Sequence, residues 1–173
     1  GWVQLFAENG QDVFDLTVQA FRLAEDPRVL LPVMVNMDGF SLSHVIEPVE
    51  LLEREEVVAF LPPFRPPRTL DPRAPRSIGA FGAQNVYTEL KMQGEAALQG
   101  AAAVLEEIWA EFAVRFGRRY RALECSGVED AEVVLVTMGS IGETALSAAE
   151  EMRAEGRRVG VARIRLWRPF PRQ

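Results

Sequence analysis

Three places in the 173-residue chain combine residue types that could do chemistry: the only histidine, His44, in MVNMDGFSLSHVIEPVEL; the only cysteine, Cys125; and the turn GSIGET beginning at Gly139. An imidazole serves as a general base when a carboxylate orients it, and Asp38 and Glu47 lie close to His44 in sequence. His44 also follows an apolar run that turns at Asp38-Gly39, where a rigid α/β scaffold presents ligand-contacting loops. Catalytic base, ligand-side residue and polar plug of a loop are all open at this point. In GSIGET, Ser140 and Glu143 have the spacing of a capping box, with the hydroxyl accepting a first-turn amide proton and the carboxylate returning to the cap's own N–H. The same turn, through Gly139, Ser140 and Gly142, offers amides and a positive helix end at the carboxyl edge of a strand, where α/β folds hold anions. It is neither GxGxxG nor a phosphate loop, and no basic residue stands beside it, so capping is preferred to ligand binding. Cys125 is expected to close a strand as a small apolar residue, because no basic partner nearby would activate its thiolate.

Composition removes whole classes of function. One cysteine excludes a disulfide framework, and it excludes an iron–sulfur or zinc site built from this chain alone, since those take about four soft ligands. Nineteen basic against twenty-five acidic residues give a formal charge of −6, so no overall field draws the chain to nucleic acid or an anionic membrane. The arginines from Arg65 to Arg76 are a local exception. Lys91 is the only lysine, which leaves no phosphate-loop lysine. No run has the length of a membrane span and the N-terminus does not resemble a signal peptide, so a soluble, cytoplasmic protein is expected.

The surrounding pattern predicts two α/β pieces joined by a stiff connector. Asn9, with Asp12 three residues on, is placed to cap a helix whose apolar face is Val13, Phe14, Val18, Phe21 and Leu23, stopped by Asp26-Pro27. Val29 to Met37 reads as a buried strand with Pro32 near its first paired residue, and Val49 to Phe60 as a short helical or extended stretch. Six of the eleven prolines fall between Leu61 and Pro75, a composition that lies extended on a surface. A long helix follows, with Leu90, Gly94, Ala97, Leu98, Ala101, Val104, Leu105, Ile108 and Phe112 on one face and Gly117 at its end; Gly94 and Ala97 suggest close approach to a neighbour. After a strand-like Arg119 to Glu124, residues 133–137, 141–155 and 159–166 read as a βαβ unit with parallel strands, the first strand buried. Arg163 and Arg165 are expected on the solvated face of its last strand, and Pro169 at a first helical position after Arg168. Trp2, Phe6 and Trp109 are expected as core or interface anchors.

The ordered strings GWVQLFAENGQDVFD, LPVMVNMDGFSLSHVIEPVE, AFLPP, FGRRY, DAEVVLVTMGSIGETA and RLWRPFP together resemble the α subunit, or its equivalent region, of the pyruvate:ferredoxin (flavodoxin) oxidoreductase family. The likeness covers nearly the whole chain, and 2-oxoisovalerate:ferredoxin oxidoreductases are closely similar. It implies an α/β fold, mainly of parallel strands with flanking helices. Residues 1–64 would be the end of a pyrimidine-binding domain for thiamine diphosphate, 65–85 a proline-rich connector, and 86–173 the start of a transketolase C-terminal-like domain. It further implies an enzyme that decarboxylates a 2-oxoacid on thiamine diphosphate with Mg, sends electrons through iron–sulfur clusters of other subunits or domains to ferredoxin or flavodoxin, and passes the acyl group to coenzyme A.

The same likeness places the family's aminopyrimidine glutamate and substrate arginine upstream of Gly1, and the metal–diphosphate motif in the β partner, with iron–sulfur and γ subunits completing the assembly. This chain alone is therefore expected to bind no cofactor and to be inactive. Because that chemistry draws its key proton transfer from the cofactor, His44 is ranked first as a structural or interface residue, then as a ligand contact, and last as a catalyst. Asn9 keeps a minor ligand role beside its capping one. A non-catalytic transketolase-C-like assembly module is the reading of another class.

Overall fold

The computed structural model describes residues 1–79 and 81–171; of the expected connector and final segment, Ala80, Arg172 and Gln173 lie outside it. Two three-stranded sheets carry the chain. In the first, β1 (Val3–Phe6) lies centrally, parallel to β2 (Val33–Asn36) and antiparallel to β6 (Leu166–Arg168). In the second, β5 (Val159–Ile164) is central, antiparallel to β3 (Leu123–Ser126) and parallel to β4 (Val133–Met138). The α/β class holds, but each sheet mixes one parallel with one antiparallel pairing.

Four helices flank the sheets. α1 (Gly10–Ala24) starts where Asn9 Oδ1 accepts the Asp12 N–H at 2.8 Å, the cap its sequence predicts, and Leu16, Gln19 and Leu23 bury its inner face. α2 (Arg54–Phe60) ends in a fully buried phenylalanine. α3 (Tyr87–Phe116) is closed by Gly117 at φ +75°, a left-handed conformation that costs glycine little. From Leu98 onward its apolar face is buried in the same core as Val3, Leu5, Leu16, Leu23 and Phe60. Phe60 and Phe112 meet edge to face at 5.5 Å, and Trp109 Nε1 donates to the buried Gln19 Oε1 at 2.9 Å. The aromatic end of α3 thus packs over the first sheet. α4 (Ile141–Ala154) covers the second sheet through Ala145, Ala149 and Met152 against Val159 and Val161.

Several expectations change. β2 spans four residues rather than the run from Val29 to Met37, and like β4 it is a sheet edge with half-exposed side chains; Val136 is 66% exposed. A continuous apolar run signals a strand that can be buried, and here Val33 and Val35 of β2 pack on the core while none of the described residues pairs with the outer edge of either strand. Gly94 makes no close approach, since an added Cβ would meet nothing within 4 Å. Of the expected core or interface anchors, Trp109 is buried in the core and Trp2 is half exposed at the surface. Pro169 does not open a helix within the described residues; the Arg168-Pro169 bond is cis and follows β6 directly. The segment between α2 and α3 runs largely exposed, as its prolines predict. Among the described residues no helix is long and apolar enough to cross a membrane.

Candidate functional site

The chain passes from the second sheet to the first through one residue. β5 ends at Ile164, β6 begins at Leu166, and between them Arg165 donates its N–H to Ala122 O at 3.0 Å while its carbonyl accepts the Phe6 N–H at 2.8 Å. The carboxyl end of β1 is thereby held against the carboxyl end of β5. Glu8 and Asn9 follow β1, Asp38 follows β2, and Gly139 and Ser140 follow β4, so the strand ends that precede loops in an α/β fold share one seam.

Asp38 reaches across that seam. Its Oδ2 accepts both the backbone N–H and the hydroxyl of Ser140, each at 2.6 Å, at the N-terminus of α4. The Ser140 hydroxyl therefore donates to a carboxylate of the other sheet instead of capping its own helix, and Glu143 accepts from Asn9 Nδ2 at 2.6 Å instead of returning to Ser140. The expected capping box does not form because both side chains find partners across the seam that sequence spacing cannot show. Gly139, at φ +75°, is required here twice over, since a Cβ would also lie 2.6 Å from Asp38 Oδ2. The Ser140 hydroxyl and amide hold the Asp38 carboxyl below its ordinary range, as expected for an anion at a helix N-terminus.

The loop after β2 also closes over α1. Glu47 Oε1 accepts the Gly10 N–H at 2.6 Å, and the Glu50 N–H donates to Gln11 Oε1 at 2.7 Å. Both carboxylates offered to His44 by sequence are accordingly engaged elsewhere. The ring is exposed, pairs through Nδ1 with Ser43 Oγ at 3.0 Å and stacks on Phe40 at 5.0 Å. His44 is thus apart from the seam, whereas Asn9, Asp38, Gly139 and Ser140 are drawn together. Gly142 backs onto the carboxylate of Glu8, where an added Cβ would stand 3.2 Å from Oε1.

Beneath these contacts lies an ion cluster that the sequence reading placed in solvent. Arg163 and Arg165 are not on a solvated face. Arg163 donates to Glu8 Oε2 and, at 2.7 Å, to Glu124 Oε2; Arg165 donates to Glu124 Oε1 and, at 2.9 Å, to Asp12 Oδ2, with its guanidinium 5.1 Å above the Tyr120 ring. Burial works against the Arg165 charge, but Asp12 and Glu124 outweigh it and hold its pKa above the ordinary value. Alongside, fully buried Asp15 accepts from Nε and Nη2 of Arg118, at 2.5 and 3.0 Å, and from the Tyr120 hydroxyl at 2.6 Å. Burial, then the bond to Asp15, pushes the Tyr120 phenol upward. The signal available in sequence was the two-residue step from Arg163 to Arg165 inside VGVARIRL, which puts both on one strand face with cross-strand Glu124.

The arrangement gives two helix N-termini side by side, each filled by a carboxylate of this chain. Among the described residues no group of His, Cys, Asp and Glu is placed to hold a metal ion. The strand-to-helix turn suited to a diphosphate already carries Asp38. The residues present do not fit the diphosphate and metal end of a thiamine cofactor. Cys125 lies in β3 and is exposed, not packed as an apolar strand end.

Compared with known proteins, residues 1–109 match the family described as pyruvate flavodoxin/ferredoxin oxidoreductase, thiamine diphosphate-binding, and residues 131–173 match pyruvate:ferredoxin oxidoreductase core domain II. Pyruvate synthase subunit PorA of Methanothermobacter thermautotrophicus is 41% identical over 171 residues, 99% of this chain and 45% of the relative. Ketoisovalerate oxidoreductase subunit VorA of Pyrococcus horikoshii is 38% identical over 175 residues, 100% of this chain and 44% of the relative. The chain thus spans less than half the length of these curated relatives. Among solved structures, 2-oxoglutarate:ferredoxin oxidoreductase from Magnetococcus marinus, with 2-oxoglutarate, coenzyme A and succinyl-CoA bound, shares the fold at a TM-score of 0.56 and 22% identity, over 98% of this chain and 32% of that one.

Proposed function

The chain belongs to the pyruvate flavodoxin/ferredoxin oxidoreductase family, and from that premise we propose that it is part of the α subunit of an enzyme that oxidatively decarboxylates pyruvate to acetyl-CoA and delivers the electrons to ferredoxin or flavodoxin. The observation that carries this reading is the 41% identity to a pyruvate synthase subunit over 99% of the chain. The ketoisovalerate relative, at 38%, keeps branched-chain 2-oxoacids as the second reading.

In this proposal thiamine diphosphate supplies the carbanion chemistry, and its diphosphate, Mg and the iron–sulfur clusters are held by other subunits or domains. What this chain contributes is shape. Its seam fixes two sheets and two helix N-termini relative to one another, and Asn9, Asp38, Gly139, Ser140 and Gly142 form a wall facing the partner subunits, with His44 on an interface loop. The division at 65–85 into a pyrimidine-domain end and a transketolase-C-like start, and a cytoplasmic location, belong to the same proposal. The exposed apolar strand β4 and the apolar loop side chains Phe40, Val45 and Ile46 support a surface covered by the rest of such an assembly.

The test is to co-express the full-length subunit with its neighbouring subunits and to measure dye reduction with pyruvate against 2-oxoisovalerate. Reduction that requires both thiamine diphosphate and coenzyme A, and favours pyruvate, is expected. Equal or greater turnover of the branched acid moves the assignment to the second reading, and no turnover with either favours a non-catalytic assembly module.

A further inference from the structure

The ion cluster at the seam does not balance. Glu8, Asp12 and Glu124 face Arg163 and Arg165, three acids against two guanidiniums, while Arg118 is taken up separately by Asp15 and, at 3.2 Å, by the exposed Glu50. Glu124 gives one oxygen to each arginine, and Asp12 Oδ2 accepts from Arg165 and from the Glu8 N–H at 3.1 Å. Glu8 differs from both. Its Oε2 takes Arg163, with Arg165 Nη2 at 3.7 Å, but its Oε1 is buried and has no hydrogen-bond partner among the described residues. The whole residue is 3% exposed and its Oε1 lies against Gly142 of α4, which brings no charge.

A buried carboxylate with one oxygen left without a donor bears the full desolvation cost of its charge, which the neutral acid avoids. We propose that Glu8 is a neutral acid with its proton on Oε1, that this proton balances the seam, and that its loss loosens the contact between the two sheets, making the seam a pH-sensitive lock. A buried hydroxyl on the same sheet face, Thr137 Oγ1 beside its register partner Arg163, is likewise unpartnered among the described residues. The charged groups facing Glu8 are Arg163 of β5, Arg165 at the crossing, Asp12 of α1 and Glu124 of β3. Burial raises the Glu8 pKa, Arg165 and Arg163 pull it down, Asp12 and Glu124 push it up, and the net direction is upward. Since the folded value lies above the unfolded one, this contribution to stability is complete below the ordinary carboxylate range and is lost as pH rises through the raised value.

Glu8→Gln reproduces the shape of the neutral acid. In the full-length protein with its co-purified subunits, the variant should unfold within about 2 °C of wild type at mildly acidic pH and become the more stable of the two as pH rises. A drop of about 10 °C at every pH, the cost of breaking a buried ion pair, overturns the proposal. Infrared difference spectra of wild type minus Glu8→Gln at neutral pH read the proton itself, with Glu8→Met as the subtraction if the glutamine variant does not fold. A protonated-carboxyl carbonyl band is expected, and an ionised-carboxylate band in its place overturns the assignment.

Discussion

Asp38 does at the seam what a cap residue does within a helix, except that it comes from the other sheet. One oxygen satisfies an amide and a hydroxyl at the N-terminus of α4, and the helix end in return stabilises the charge. Asp38→Ala is expected to cost about 1 kcal/mol at neutral pH, on the scale of a lost N-cap. The folded pKa is depressed, so the difference from wild type should be full above the ordinary carboxylate range and vanish as pH falls through the depressed value. Thermal unfolding of both proteins across acid pH checks this. Arg165 carries more, because its removal strands Asp12 and Glu124 in a buried setting. Arg165→Met is expected to destabilise by about 3–5 kcal/mol, read from urea unfolding, with Arg163→Met costing less because its side chain is less enclosed.

Among the elements, α3 divides into a packed half and a free one. Leu98 to Phe112 is core, but the turns before it are largely exposed, touching the first sheet through Glu95 at 3.7 Å from Arg168, and a Cβ added at Gly94 would meet nothing within 4 Å. Gly94→Ala should therefore stabilise the protein by about 0.5–1 kcal/mol, because alanine loses less backbone entropy in an exposed helix; an unfolding midpoint that falls would place a neighbour against that turn. α1, α3 and α4 were legible in sequence because each carries its own periodicity and punctuation, Asn9 before α1, Gly117 after α3 and Gly156 after α4, whereas the shorter α2 was left between helical and extended. The parallel pairing of β4 with β5 followed from their connection through α4. β1 and β6 were not legible, being three or four residues long and held by partners more than a hundred residues distant. The seam was half visible. Asn9, Asp38, Gly139 and Ser140 announce themselves as turn and cap residues, but which caps which depends on the juxtaposition of two sheets. Arg163 and Arg165 were misread for the same reason, since alternation with apolar residues marks a shared face without telling what faces it.

At the scale of the molecule, two small sheets meet at one crossing residue, and the resulting surface is more apolar than a finished one. Val134 and Val136 line an uncovered sheet edge, and Ile46 is fully exposed on the loop that closes over α1. Exposed apolar surface of this kind is what a partner would cover. The central claim is that the strand-end seam, and not the lone histidine, is this chain's contribution to turnover. The most direct test is the rate of pyruvate-dependent dye reduction by correctly assembled, full-length Asp38→Ala and His44→Ala enzymes. Asp38→Ala should lose about tenfold or more, as misplacement of a site wall brings, and His44→Ala should change within about twofold. A loss of about a thousandfold on replacing His44, with Asp38→Ala near wild type, would contradict the claim.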